Sequence, residues 1–145
     1  MAGILTAMVW VASICWTPIA LADKRICTKE EAQSAEAIAA KVNSWAQLKE
    51  QFDRYSHCDD GAIAEGFSES VSLLLADQWR DIRQLYEMRF QSEFRVFFLR
   101  HIDETIPKER LERIGENARE RCPQGLEALC RKIGCRVVQV LPHVQ

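Results

Sequence analysis

The chain reads as an all-α protein: a compact bundle or irregular array of six to seven helices, stapled by disulfides and ending in an extended C-terminal tail. Three observations predict this. The 123 residues after Ala22 contain only five glycines and three prolines, so Ala-, Glu-, Arg- and Leu-rich stretches run long between breaks. Apolar residues in those stretches recur three and four positions apart, the spacing that gives a helix one apolar face. Ser, Thr and Asp stand just ahead of several of these stretches, where a helix needs side-chain acceptors for its free amides. A chain of 145 residues makes one domain.

The elements follow in order. Thr28-Lys29-Glu30-Glu31 is a capping box that opens a helix through about Lys41, with Ala32, Ala35, Ile38, Ala39 and Val42 on one face. Ser44-Trp45-Ala46-Gln47 opens a second, carrying Leu48, Phe52 and Tyr55. Asp59 and Asp60 stand at an N-cap ahead of Gly61 and a helix to about Asp77. Trp79 to Met88 continues helically through Ile82, Leu85 and Tyr86. Ser92 and Glu93 open the most apolar helix, where Phe90, Phe94, Phe97, Phe98 and Ile102 form a core stripe with His101 at its edge. Pro107 begins the next at a first helical position, with Leu111, Ile114 and Ala118 inward. Pro123 is expected to start the last helix and Gly134 to stop it. The run Arg136 to Leu141 then reads as an extended strap.

Residues 1–22 carry no charge, and Ile4 to Trp16 is an apolar run closed by Thr17-Pro18 and the small-residue triplet Ala20-Leu21-Ala22. That is the pattern of a signal peptide cut after Ala22, and it is too short for a spanning helix. The expected mature domain is therefore 23–145, in the periplasm. Five cysteines remain there: Cys27, Cys58, Cys122, Cys130 and Cys135. In an oxidising compartment such thiols pair, and five leave one over. Cys135, beyond Gly134, is the odd one, which makes Cys27, Cys58, Cys122 and Cys130 the disulfide candidates. A continuous helix from Pro123 would hold Cys122 and Cys130 about 12 Å apart, so pairings between helices are favoured. No CxxC or HxxxH occurs, and neither a metal nor a cofactor is expected.

Charge singles out one segment. From Ser56 to Gln78 stand five acids and no Lys or Arg, whereas Trp79 to Gln145 mixes 13 basic with 10 acidic residues. Asp59, Asp60, Glu65 and Glu69 are accordingly the candidate partner-binding residues, facing a basic surface on another protein. Ala62, Gly66 and Ser70, four apart, line one helix face with nothing larger than a hydroxymethyl, so a second backbone can come close. A near-neutral chain, net −2, argues against a nucleic-acid partner. Catalytic patterns are absent: there is no phosphate loop, GxSxG or HExxH, and adjacent His57 and Cys58 point apart. A non-enzymatic protein is expected.

The stretches Cys58 to Gly66, Leu99-Arg100-His101-Ile102-Asp103, and Cys122-Pro123 with Leu129-Cys130 resemble a group of small exported bacterial helical proteins, the immunity proteins of type VI secretion amidase effectors. The resemblance implies a periplasmic inhibitor that neutralises a secreted cell-wall amidase by occluding its active site. It carries no diagnostic inhibitory residue. A helical binding or envelope-assembly module without catalytic activity is the alternative, and a second copy of the chain is among the partners left open.

Overall fold

The computed structural model describes residues 25–88 and 91–144, so the expected signal peptide and Phe90 lie outside the described residues. Among these residues seven α-helices follow one another: α1 Lys29–Ala39, α2 Trp45–Tyr55, α3 Gly61–Asp77, α4 Ile82–Glu87, α5 Ser92–Arg100, α6 Lys108–Glu120 and α7 Glu127–Val140. Short 3₁₀ turns at Ser56–Cys58, Trp79–Asp81 and Leu141–His143 join or end them. No strand occurs among the described residues, and none of their helices is long and apolar enough to cross a membrane.

The starts of α1 to α3 follow their caps. Thr28 Oγ1 accepts from Glu31 N, and Glu31 Oε2 accepts from Thr28 N, closing the box. Ser44 Oγ accepts from Gln47 N. Of the two aspartates at the third start it is Asp60 that caps, through Gly61 N at 2.8 Å. Gly61 itself has φ +51°, a conformation costly for any other residue, which lets the chain turn sharply into α3.

α3 is the central element. It packs on α1 along one side and on α6 along the other, and α6 in turn carries α7. The α1 contact is as close as the small residues allow. A Cβ built on Gly66 would lie 2.7 Å from Ala39 Cβ, and Ser70 Oγ donates to Ala39 O at 2.5 Å. The small-residue face is thus occupied by the protein's own first helix, with Ala62 at its exposed end. Toward α6, the buried Asn117 donates Nδ2 to both Leu75 O and Ala76 O at 3.0 Å, satisfying carbonyls that the end of α3 leaves open. Trp79 Nε1 donates to Arg121 O at 2.8 Å, tying the end of α6 to the same place. Between α2, α3 and α5, Phe52, Phe67, Phe94 and Phe97 form an aromatic cluster with centroids 5.0 to 6.3 Å apart.

Both disulfides use the four expected cysteines, and Cys135 is free and exposed. Cys27–Cys58 ties the lead-in to α1 to the turn before α3. The second bridge, Cys122–Cys130, corrects the expectation that these two stand too far apart. α7 begins not at Pro123 but at Glu127. Residues 123–126 form a tight turn, with Gly125 at φ +85° and Leu126 N donating to Pro123 O at 3.1 Å. That turn brings the two Cα atoms to 6.0 Å.

The C-terminal tail is likewise corrected. It is not an extended strap: α7 runs through Gly134 to Val140, with Ile133, Val137 and Val140 buried. The modest helix penalty of valine, up to about 0.7 kcal/mol each, is outweighed by burying those side chains against α6.

Candidate functional site

The most elaborate polar arrangement is centred on His101, at the end of α5. Its ring packs edge-on to Phe97 at 4.5 Å and against Phe67 at 5.7 Å, with 2 % of the residue exposed. His101 Nε2 lies 3.1 Å from Asp59 Oδ2, and the same carboxylate pairs with Arg100. On the other edge of the ring, Nδ1 lies 3.0 Å from Ser68 Oγ. Ser68 in turn donates to Asp103 Oδ2 at 2.6 Å, while Asp103 Oδ1 accepts from Thr105 N and Thr105 Oγ1. One continuous chain therefore links the turn before α3, the second turn of α3, the end of α5 and the loop leading to α6.

Proton counting constrains its state. The Asp59–His101–Ser68–Asp103 chain has three contacts, while a neutral imidazole and a hydroxyl supply two protons. Burial, followed by the Arg100 guanidinium, pushes His101 down to about 4, so the ring is neutral at neutral pH. We assign its proton to Nε2, facing the Asp59 carboxylate. Ser68 Oγ then has one proton and three acceptors within reach: His101 Nδ1, Asp103 Oδ2 and Ala64 O.

A Ser, a His and an Asp in line are the parts of a nucleophilic triad. Here they are closed off: Ser68 is 1 % exposed, and the Asp59 side chain 2 %. None of them lines the three best-formed depressions of the surface. The arrangement joins four segments of the chain. A second cluster, Glu31, His57 and Cys58, brings three potential metal ligands within 4.8 Å, but the Cys58 sulfur is committed to Cys27. Glu31 is held down at about 2, first by the Thr28 amide and then by His57.

The four acids of the candidate partner surface separate. Asp59 is inside, locked to Arg100 and His101, and so is not available to a partner, which corrects its assignment to the surface. The turn at Ser56–Cys58 and the bridge to Cys27 set residue 59 where Arg100 and His101 arrive from α5, leaving residue 60 to cap the helix. Glu69 is half exposed and pairs with Arg110 at 2.5 Å. Asp60 and Glu65 are exposed and enter none of the ion pairs among the described residues. Ser68, Arg100 and Asp103 were not singled out as a site by sequence. The signal was the adjacency of Arg100, His101 and Asp103 in one short stretch, which only becomes a constellation when α5 is laid against α3.

The fold and the site define a disulfide-stapled, all-α protein built around a buried hydrogen-bonded lock, with an ion pair to Arg100 at its exposed end. Comparison with family models, with curated proteins and with solved structures returned no match to this chain.

Proposed function

We propose that the protein is a periplasmic inhibitor that binds a secreted cell-wall amidase and occludes its active site, as an immunity protein does. Four features support this reading. Two formed disulfides suit an oxidising space outside the cytoplasm. The leader pattern suits export. Two of the three stretches that resemble the amidase immunity proteins meet at the lock, through Asp59 from one and Arg100, His101 and Asp103 from the other. The observation that carries the proposal is the fourth. Asp60 and Glu65, both exposed and both acidic, stand at the start of α3, which the lock and the Cys27–Cys58 bridge hold rigidly on two sides. A pre-ordered acidic edge loses little conformational entropy on docking and accelerates the approach of a basic surface.

The test is a binding experiment on the oxidised protein with the product of the neighbouring gene, where that gene encodes a secreted peptidoglycan amidase. A stable complex burying on the order of 1,600 Å² and loss of hydrolysis are expected. Reversing both charges, Asp60→Lys with Glu65→Lys, should slow association at least tenfold at low salt. An unchanged on-rate removes this edge from the interface, and undiminished hydrolysis at saturating protein removes the inhibitor reading itself.

A further inference from the structure

α5 packs against α2, and α7 against α6, while α5 and α7 pack less closely on each other among the described residues. Two adjoining depressions lie along the seam between α5 and α7. The first has a volume of about 300 Å³, and its walls are Leu85, Met88, Phe94, Phe98 and Leu129. Four of these five are buried in the core, so the floor is rigid as well as apolar. The second, about 460 Å³, adjoins it and shares Ala128 and Lys132 with it. Among the described residues, the charged ones lining the two are basic: Arg95, Arg131, Lys132 and Arg136, the last of which also donates Nε to Ile102 O. The groove on the other side of α7, against α6, is instead mixed in sign, with Glu109, Glu112, Glu116 and Glu127 beside Arg113, Arg119 and Arg131. Lys132 is exposed and enters none of the ion pairs among the described residues.

From this juxtaposition we infer that the α5–α7 seam binds an anionic amphiphile with a single hydrocarbon chain. The chain lies on the Phe94, Phe98 and Leu129 floor, and the anionic head sits against Lys132 and Arg131. The volume is at the small end of ligand pockets, which begin at about 300 Å³, and suits one chain or one ring rather than a branched lipid. An apolar floor selects the tail, while a rim of one sign selects the head. A carboxylate and a phosphate monoester meet the rim equally well.

The experiment is calorimetric titration of the full oxidised chain with dodecanoate, with dodecyl phosphate and with dodecanol, all below the concentrations at which micelles form. Native mass spectrometry gives the stoichiometry. Expected is one-to-one binding of at least one anionic probe, with a Kd on the order of 10 µM, and at least tenfold weaker binding of dodecanol. The ratio of the two anionic probes assigns the head group. Two exposed positions provide the variants: Ala128→Trp, which blocks the mouth, and Lys132→Glu, which reverses the rim. Each should weaken binding at least tenfold with the helical circular dichroism unchanged. Absence of saturable binding to either anion overturns the inference. So does dodecanol binding as tightly, or affinity that survives both variants. Capture of an acidic peptide in preference to the amphiphiles overturns it too.

Discussion

His101 Nε2 lies 3.1 Å from Asp59 Oδ2, forty-two residues away in the chain and wholly inside the protein. Through that contact, and the Arg100 pair to the same carboxylate, the turn that begins α3 is fastened to the end of α5, and with it the orientation of the acidic edge at Asp60 and Glu65. Several of the protein's measurable properties follow from it.

Stability should fall on mild acidification. The imidazole titrates near 6.5 when free and near 4 in the fold. Between those values the unfolded chain binds one proton more than the folded one, so folding weakens as the pH drops through this window. The loss should approach about 3 kcal/mol by pH 4. Glu31 acts lower down: its folded value near 2 contributes stability above its ordinary 4.5 that is lost only below it. Urea unfolding between pH 6.5 and 4.5 therefore isolates the histidine, and His101→Gln should flatten the dependence there. An equal slope in the variant would assign the acid sensitivity to other groups.

Neighbouring aspartates should behave differently. Asp59→Ala leaves His101 and Arg100 without their shared carboxylate. We expect a cost of about 2–3 kcal/mol, below the 3–5 kcal/mol of a fully buried broken pair because the Arg100 end reaches water. Asp60→Ala removes only a helix cap, at about 1 kcal/mol. Chemical denaturation of the two variants side by side checks the order.

Glycine-to-alanine substitutions should have opposite signs at two positions. Gly66→Ala drives a methyl to 2.7 Å from Ala39 Cβ, with the α1 backbone immediately behind, and should destabilise by about 1–3 kcal/mol. Gly134→Ala meets nothing nearer than Ala118 Cβ at 3.9 Å and lies within α7, so it should stabilise by about 0.5–1 kcal/mol. Thermal melts resolve both. Ala39→Gly combined with Gly66→Ala should recover part of the first loss.

The two disulfides should contribute unequally. Opening Cys27–Cys58, which closes 31 residues, should cost about 4 kcal/mol by the loop-entropy relation; opening Cys122–Cys130, which closes 8, about 2.5 kcal/mol. Paired Cys→Ser variants and their denaturation midpoints measure the difference. Equal losses would mean that native contacts at each bridge, and not loop length, set its contribution.

Much of the architecture is written in local chemistry. Thr28 with Glu31, Ser44 and Asp60 each mark a helix start, and Ala35, Phe94, Ile114 and Ile133 fall on buried faces at helical spacing, because caps and apolar periodicity act within one or two turns. Parity required one thiol left over, and its place beyond Gly134 singled out Cys135, which is free although α7 runs through that glycine. The residues that resisted were those whose state depends on distant partners. Nothing near Asp59 in sequence distinguishes it from Asp60, yet one is buried in a charge pair and the other faces water, since Arg100 and His101 arrive from another helix. Gly125 and Gly134 look alike as punctuation; burial of Val137 and Val140 against α6 carries the helix through one, while the other bends back to close a disulfide. Local pattern decides which segments are helical. Charge burial, glycine tolerance and cysteine pairing are decided by which surfaces meet, and those free energies exist only once the helices are packed.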